Sequence, residues 1–404
     1  MNAHRCVLLS CALALTTFAA SCEMPRARAP VPETGPAIAD DAYVDPAKPF
    51  LNLERERLRV VWQQSLAQLT QNQNLRNVYL AGDVIVAETG DANLFLFSAD
   101  TGVWQASTSL KSVLRHAPVL ATNGLFALTG RGIVMINPKT GIVERELPSM
   151  TTTTAPPVPF GTTLILGGGT GAVLRVSDET GLEVWRANVD GMVADPPQTD
   201  AANVYALGRG GSIVATTGRD GRMMWKWRPL HPSKLVTGLT LGDRKLFFGD
   251  NRGFVYAQTA DEGIVLWKLP VGSPAISAPV YNEGRVFVGT RADEMVCIRQ
   301  DVEPSVLWVF TGANRLVATG EDYYYLLTSD HSIAALAKDT GVMQWRRPLR
   351  KDTVVISDPI KSRMFLFRPN GALMALDEVP RPIIPTTAET APAGSAVPAV
   401  EESK

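Results

Sequence analysis

Thr340-Gly341-Val342-Met343-Gln344-Trp345 is one copy of a pattern that returns through the chain at a nearly constant interval. Trp stands at 62, 104, 185, 225, 267, 308 and 345, spaced 37 to 42 residues apart except for one step of 81. Thr140-Gly141-Ile142-Val143-Glu144-Arg145 fills that double step, with Arg145 where Trp is due. One unit therefore runs through eight registers. A period near 40 residues is four short strands with their turns, and such units bury their faces against one another rather than alone. This repetition makes one domain the better count for a chain whose length alone would suggest two or three.

Within a unit the strands are legible. Ala278-Pro279-Val280-Tyr281, Arg285 to Thr290, Glu294 to Ile298 and Val306 to Phe310 are short β-rich runs, and Asn282-Glu283-Gly284 and Arg291-Ala292-Asp293 are turns between them. No segment sustains a 3.6-residue period, and only Leu66 to Asn77 reads as a helical turn or long loop. The last unit, 354 to 377, offers three strands before a Pro-rich tail begins, whereas Leu58-Arg59-Val60-Val61-Trp62 is a fourth strand without a unit. Pairing the two closes a ring and removes exposed sheet edges. The fold expected is all-β: an eight-bladed propeller of four-stranded antiparallel blades over 55–378, closed by its N-terminal strand. Seven blades is the alternative, if the unit around Gly141 is degenerate.

The ends differ from the middle. Residues 1–21 read as an export signal, with an apolar core from Val7 to Phe18 and small residues Ala19-Ala20-Ser21 before Cys22. Residues 22–54 are a Pro/Ala-rich tether, and 379–404 a disordered tail too poor in large apolar residues to offset ordering entropy. The small residues before Cys22 resemble a bacterial lipobox, which implies lipidation at Cys22. Of four Cys, those at 6 and 11 leave with the signal, so Cys297 has no disulfide partner if Cys22 carries lipid. With 39 basic and 40 acidic residues the net charge is −1, which argues against a nucleic-acid groove and against a polybasic membrane surface.

Gly102, Gly141, Gly181, Gly221, Gly263 and Gly341 precede the outermost strand, where a turn needs positive φ. Trp62, Trp104, Trp185, Trp225, Trp267, Trp308 and Trp345 are expected to pack between blades, and Ala215, Ala257 and Ala335, each ten residues before a Trp, leave room for the indole. These are the residues of an Ala-x-Asp-x-x-Thr-Gly-x-x-x-Trp motif. Its halves appear as Ala375-x-Asp377 and Thr340-Gly341-x-x-x-Trp345, while Thr101-Gly102-x-Trp104 is two residues short. The chain from about 55 to 378 thus resembles pyrroloquinoline-quinone-type propeller repeats, which enzymes and scaffolds share.

The quinoprotein dehydrogenases among them use calcium, an acidic catalytic residue and often an adjacent Cys pair. This sequence has no Cys-Cys pair, no Cys-x-x-Cys-His and no clustered acids; Asp195, Asp250 and Asp358 read as turn carboxylates. Ser329-Asp330-His331 are consecutive turn residues rather than a converging triad. His116 reads as a loop cap, and Gly167 to Gly171 as a strand end and hairpin turn because no Lys-Ser/Thr follows. Cys297 reads as a packing thiol opposite Trp308. No catalytic residue, cofactor or metal is assigned.

Lipobox, tether and eight similar blades resemble the propeller lipoprotein family of the outer-membrane β-barrel assembly machinery. That resemblance implies a non-catalytic, lipid-anchored envelope scaffold facing the periplasm, outer membrane favoured, that binds an envelope protein through loops on one rim. The corresponding loops run from Val189 to Pro197, with Met192 and Val193 as exposed apolar candidates beside Asp195, and from Pro229 to Thr237, with Leu230, His231 and Lys234. The family's Leu-x-Leu-Arg contact sequence occurs in neither loop. A quinone-dependent oxidoreductase and a ligand or peptide sensor using the central channel are the alternatives.

Overall fold

A computed structural model describes residues 57–66, 75–148, 151–230 and 234–379. The proposed signal, the tether with Cys22, His231 and residues 380–404 of the tail lie outside these. Its strands form eight antiparallel sheets of four. Blades 1 to 7 span 75–109, 119–148, 158–188, 198–227, 240–270, 280–311 and 313–348. Blade 8 takes Val354–Ser357, Met364–Phe367 and Ala372–Glu378, and its fourth strand is Leu58–Ser65 from the start of the chain. The expected eight-bladed ring and its closure are both present. Leu75–Ala81, part of the stretch read as a helical turn or loop, is the first strand of blade 1.

Burial follows rank within a blade. The second and third strands are covered on both faces by neighbouring blades, so Val84–Thr89, Gly124–Leu128 and Gly132–Ile136 are buried at every position. Both faces being apolar, these strands read as continuous hydrophobic runs rather than alternating ones. Fourth strands such as Val143–Pro148 are mostly half-buried or exposed, as outermost strands must be. First strands of successive blades meet from blade 2 to blade 6 and from blade 7 through blade 8 to blade 1, which puts them around the axis.

The repeat residues fasten one blade to the next. The Trp185 Nε1–H donates to the Gly218 carbonyl at 2.8 Å, Trp225 to Ala260 at 2.9 Å and Trp62 to Ala99 at 3.0 Å. Each acceptor lies in the turn before the next blade's fourth strand. The glycine of that turn then lies against the indole: a Cβ on Gly221 or Gly263 would come 2.7 Å from Cδ2 of Trp185 or Trp225, closer than real carbons approach. Gly221 and Gly263 also have φ of 71° and 72°, a region that costs a side chain energy in its own right. Across the strands, Ala215, Ala257 and Ala335 pair with Trp225, Trp267 and Trp345. Cys297 pairs with Trp308 and is buried, and burial pushes its thiol up to about 12.

The Nε1–H groups of Trp308 and Trp345 lack that bond, and two other units depart at the Trp position itself. In blade 2, Arg145 pairs with Met135 at the Trp position, and its Nη1 donates to the Asp178 carbonyl at 3.3 Å, the bond an indole makes elsewhere. In blade 1, Trp104 does not dock and is 48% exposed, contrary to the expectation that every Trp of the series packs between blades. The bulge at Leu96/Phe97 pairs Leu96 with Ala106, so Ala106 takes the docking position two residues on. A Cβ at Gly141 would meet the Ala106 Cβ at 3.1 Å, confirming which residue faces the next blade.

Candidate interaction rim

Alternating strand direction sorts the connections onto two rims. Links between blades and turns between second and third strands share one, here the loop rim; the remaining turns form the other, the turn rim. Hydrogen bonds tie the loop rim together: Arg209 N–H donates to Met192 O, Asn251 N–H to Lys234 O and Arg291 N–H to Pro274 O.

Two of its loops carry the residues singled out in the sequence. In 189–197, Asp190 accepts from Lys226 Nζ at 3.0 Å, Arg228 Nε at 2.8 Å and, through its own N–H, leans on Ser212 Oγ at 2.9 Å. Lys226, then Arg228, hold its carboxyl well below the usual carboxylate range. Met192 is 38% exposed at the tip. Val193, expected to be exposed, is fully buried: its side chain fills the space that a Cβ on Gly167 would occupy, and Thr154 Oγ1 donates to its carbonyl at 2.6 Å. The glycine run 167–171 is thus a strand end and hairpin turn whose missing side chain accommodates Val193. Asp195 lies against Gly238 of the second loop, and burial raises its carboxyl despite the opposing Arg209.

The second loop links blades 4 and 5. Leu235 anchors it from the buried side by bridging to Asp250, while Lys234 and Asn251 exchange two hydrogen bonds of 2.9 Å. Leu230 stands fully exposed. Asp190 and Asp195 therefore join the two loops, and the hairpin residues Arg209 and Arg252 stand beside them. Sequence reading missed those two because hairpin turns and blade links are far apart in sequence; only strand direction places them on one rim.

Other candidate residues diverge. The Asp330 carboxylate pairs with Arg346, Ser329 Oγ bonds to Asp293, and the His331 ring nitrogen lies 2.8 Å from Thr353 O. The His116 ring lies 3.3 Å from Thr153 O, bridging two successive loops. Asp250 is buried and accepts from Arg252 N, Phe254 N and Tyr256 Oη at 2.9 Å each. Asp358 caps Ile360 N–H. No group of three or more potential metal ligands occurs among the described residues. A cavity of about 60 Å³ between blades 1 and 2 is lined by Leu110, Ser112, Arg131 and Glu146. Ligand pockets run to roughly 300–1,000 Å³.

A family model described as "Outer membrane protein assembly factor BamB" matches residues 145–345 and 226–377. The chain belongs to this family. BamB of Yersinia pestis is 24% identical over 287 residues, 64% of this chain and 68% of that protein. BamB of Shewanella oneidensis is 26% identical over 132 residues, so the matched part spans 32% of that relative and 30% of this chain. Among solved structures, BamB from Moraxella catarrhalis superposes with a TM-score of 0.63 at 16% identity, covering 79% of this chain and 97% of that one. The computationally designed Ika8 protein superposes almost as well, at 0.62 and 13% identity, covering 76% and 96%. The two structural likenesses speak to the fold, which a designed protein shares with BamB, and not to function.

Proposed function

We propose that this protein is a non-catalytic scaffold of the bacterial cell envelope, anchored by lipid at Cys22 and facing the periplasm, that takes part in outer-membrane protein assembly. In this reading it docks another protein through its loop rim. The observation that carries it is Leu230, an aliphatic side chain left wholly in solvent on a loop that Leu235 and Asn251 otherwise hold down. Nothing in blade packing requires an apolar residue there, and an apolar anchor ringed by polar groups is what a docking site presents. Membership in the BamB family, together with the relatives so named, supports the outer-membrane context.

A photo-crosslinker at position 230 in intact cells tests the reading. It should capture an envelope assembly protein, and Leu230→Asp should lower recovery of that protein on the native chain by tenfold or more, while the melting temperature stays within about 1 °C because the residue is exposed. No adduct at positions 230 or 192, with the protein folded and exported, would remove the docking claim.

A further inference from the structure

The near-zero net charge conceals an uneven distribution. On the turn rim the repeat itself supplies acids: the turns before the fourth strands hold Asp178-Glu179, Asp261-Glu262 and Asp339, with Asp100, Asp220 and Asp301 at the same place in other blades. Several bond the turn they sit in, as Asp220 does with Arg222 N–H at 3.2 Å, so turn chemistry accounts for part of that charge. The loop rim is different. Between blades 4 and 5 it holds Arg209, Lys226, Arg228, Lys234 and Arg252 against Asp190, Asp195 and the buried Asp250. Between blades 7 and 8 it holds Arg346, Arg347, Arg350, Lys351 and Arg368 against Asp330 and Asp352. Lys234, Arg252, Arg291 and Lys351 are exposed and, among the described residues, have no carboxylate at ion-pair distance.

Both ends of the described chain leave from the opposite rim. The strand Leu58–Ser65 starts beside the end of Ala372–Glu378, and Val379 N–H donates to Arg57 O at 2.7 Å. Arg57 and Val379, the two ends of the described chain, therefore both lie at the acidic rim, opposite the basic one.

We propose that the loop rim is an electrostatic docking face for a protein surface rich in Asp and Glu, and that the acidic turn rim disfavours docking the other way up. The proposal rests on the docking reading above and specifies its partner's chemistry. Charges of one sign concentrated on one face raise encounter rates and fix orientation more than they add affinity. An acidic protein surface fits better than an anionic bilayer. Asp190 and Asp195 interrupt the cations of the same two loops, so the face is mixed, and a protein surface with its own scattered cations can match it in register where a uniformly negative sheet cannot.

The test uses the full chain and two probes: a labelled polyglutamate peptide, and phosphatidylcholine vesicles containing phosphatidylglycerol. One variant reverses Lys234→Glu, Arg252→Glu, Arg291→Glu and Lys351→Glu. A control makes the same charge change on the turn rim, with Lys139→Glu, Arg219→Glu, Arg222→Glu and Lys361→Glu, and thermal melts confirm that both fold. The loop-rim variant should bind polyglutamate at least tenfold more weakly than the control, and binding to the parent chain should fall steeply between 50 and 300 mM salt as the screening length shortens and exposed charges cease to reach one another. Equal loss in both variants, or salt-independent binding, overturns the proposal. Vesicle binding through the loop rim that exceeds polyglutamate binding overturns it in favour of a lipid surface. If crosslinking at position 230 still captures an assembly protein after either failure, the docking reading stands and only its electrostatic basis falls.

Discussion

Gly221 shows how a single residue carries the junction between blades. Two constraints meet there: φ of 71°, and an indole that lies 2.7 Å from where a Cβ would stand. Gly161 isolates the first constraint, since its φ is 59° but no atom lies within 4 Å of where a Cβ would go. Gly161→Ala should therefore cost only the conformational term, about 1–2 kcal/mol. Gly221→Ala should add overpacking against Trp185, for a total of roughly 2–4 kcal/mol. Urea unfolding of the two variants separates the terms; equal losses would mean that Trp185 can move aside without cost. Val193 is the converse lesson. Its place in a polar loop made it look exposed, yet the lack of a Cβ at Gly167, 26 positions earlier, makes a socket for it. Pairings of that kind leave no periodic trace, which is why the candidate site was less legible than the fold.

At the scale of the strand, the repeat announces that blades dock without saying which side chain does so. The Trp spacing marked out the blades because the docking position recurs once per unit, and the eight sheets follow it. It misplaced Trp104 because the docking position is set by distance from the turn glycine and not by the nearest Trp: the same bulge recurs in the other blades, and in blade 1 the residue it presents is Ala106, two beyond Trp104. Blade 1 consequently meets blade 2 through Ala106, and the small cavity at this seam lies where the neighbouring loops leave space. A fourth strand pinned by a methyl group buries less apolar area than one pinned by an indole, so it should open more readily. Hydrogen exchange of Trp104–Ser109 should run at least tenfold faster than that of Glu183–Asn188, whose Trp185 is 94% covered with its N–H bonded. Ala106→Leu should slow the first strand's exchange if the seam can accept the added volume. Comparable protection in both strands would mean that intra-blade pairing alone governs opening.

Closure is a property of the whole ring, and it concentrates in one blade where the two ends of the propeller meet. Arg57, at φ of 56°, bonds Val379 O through Nη2 at 2.9 Å and pairs with Asp322 of blade 7. Beside it the Glu378 carboxyl is buried, with Oε1 accepting from Asp322 N–H at 3.2 Å and the Tyr325 hydroxyl close by. Burial raises the Glu378 carboxyl above its ordinary value, opposed chiefly by a hydrogen bond from the Glu321 backbone and by Arg57, while the Glu321 charge adds a smaller rise. For an acid with a raised folded value the sign is clear. The ionised form is disfavoured by the fold, so this residue costs nothing below the ordinary glutamate value of about 4.3 and destabilises increasingly as pH rises through its folded value. Glu378→Gln keeps the acceptor for Asp322 N–H and removes the charge. It should raise the melting temperature at pH 7.5, and that advantage should shrink towards zero as pH is lowered to 4. Because the latch joins blade 8 to blade 7 through the first strand of the chain, the same substitution should slow global unfolding rather than merely local fraying. A variant that melts lower than the parent at pH 7.5 would show instead that the charge of Glu378 is needed to hold Arg57 in place, and that closure depends on the ion pair more than on relief of burial.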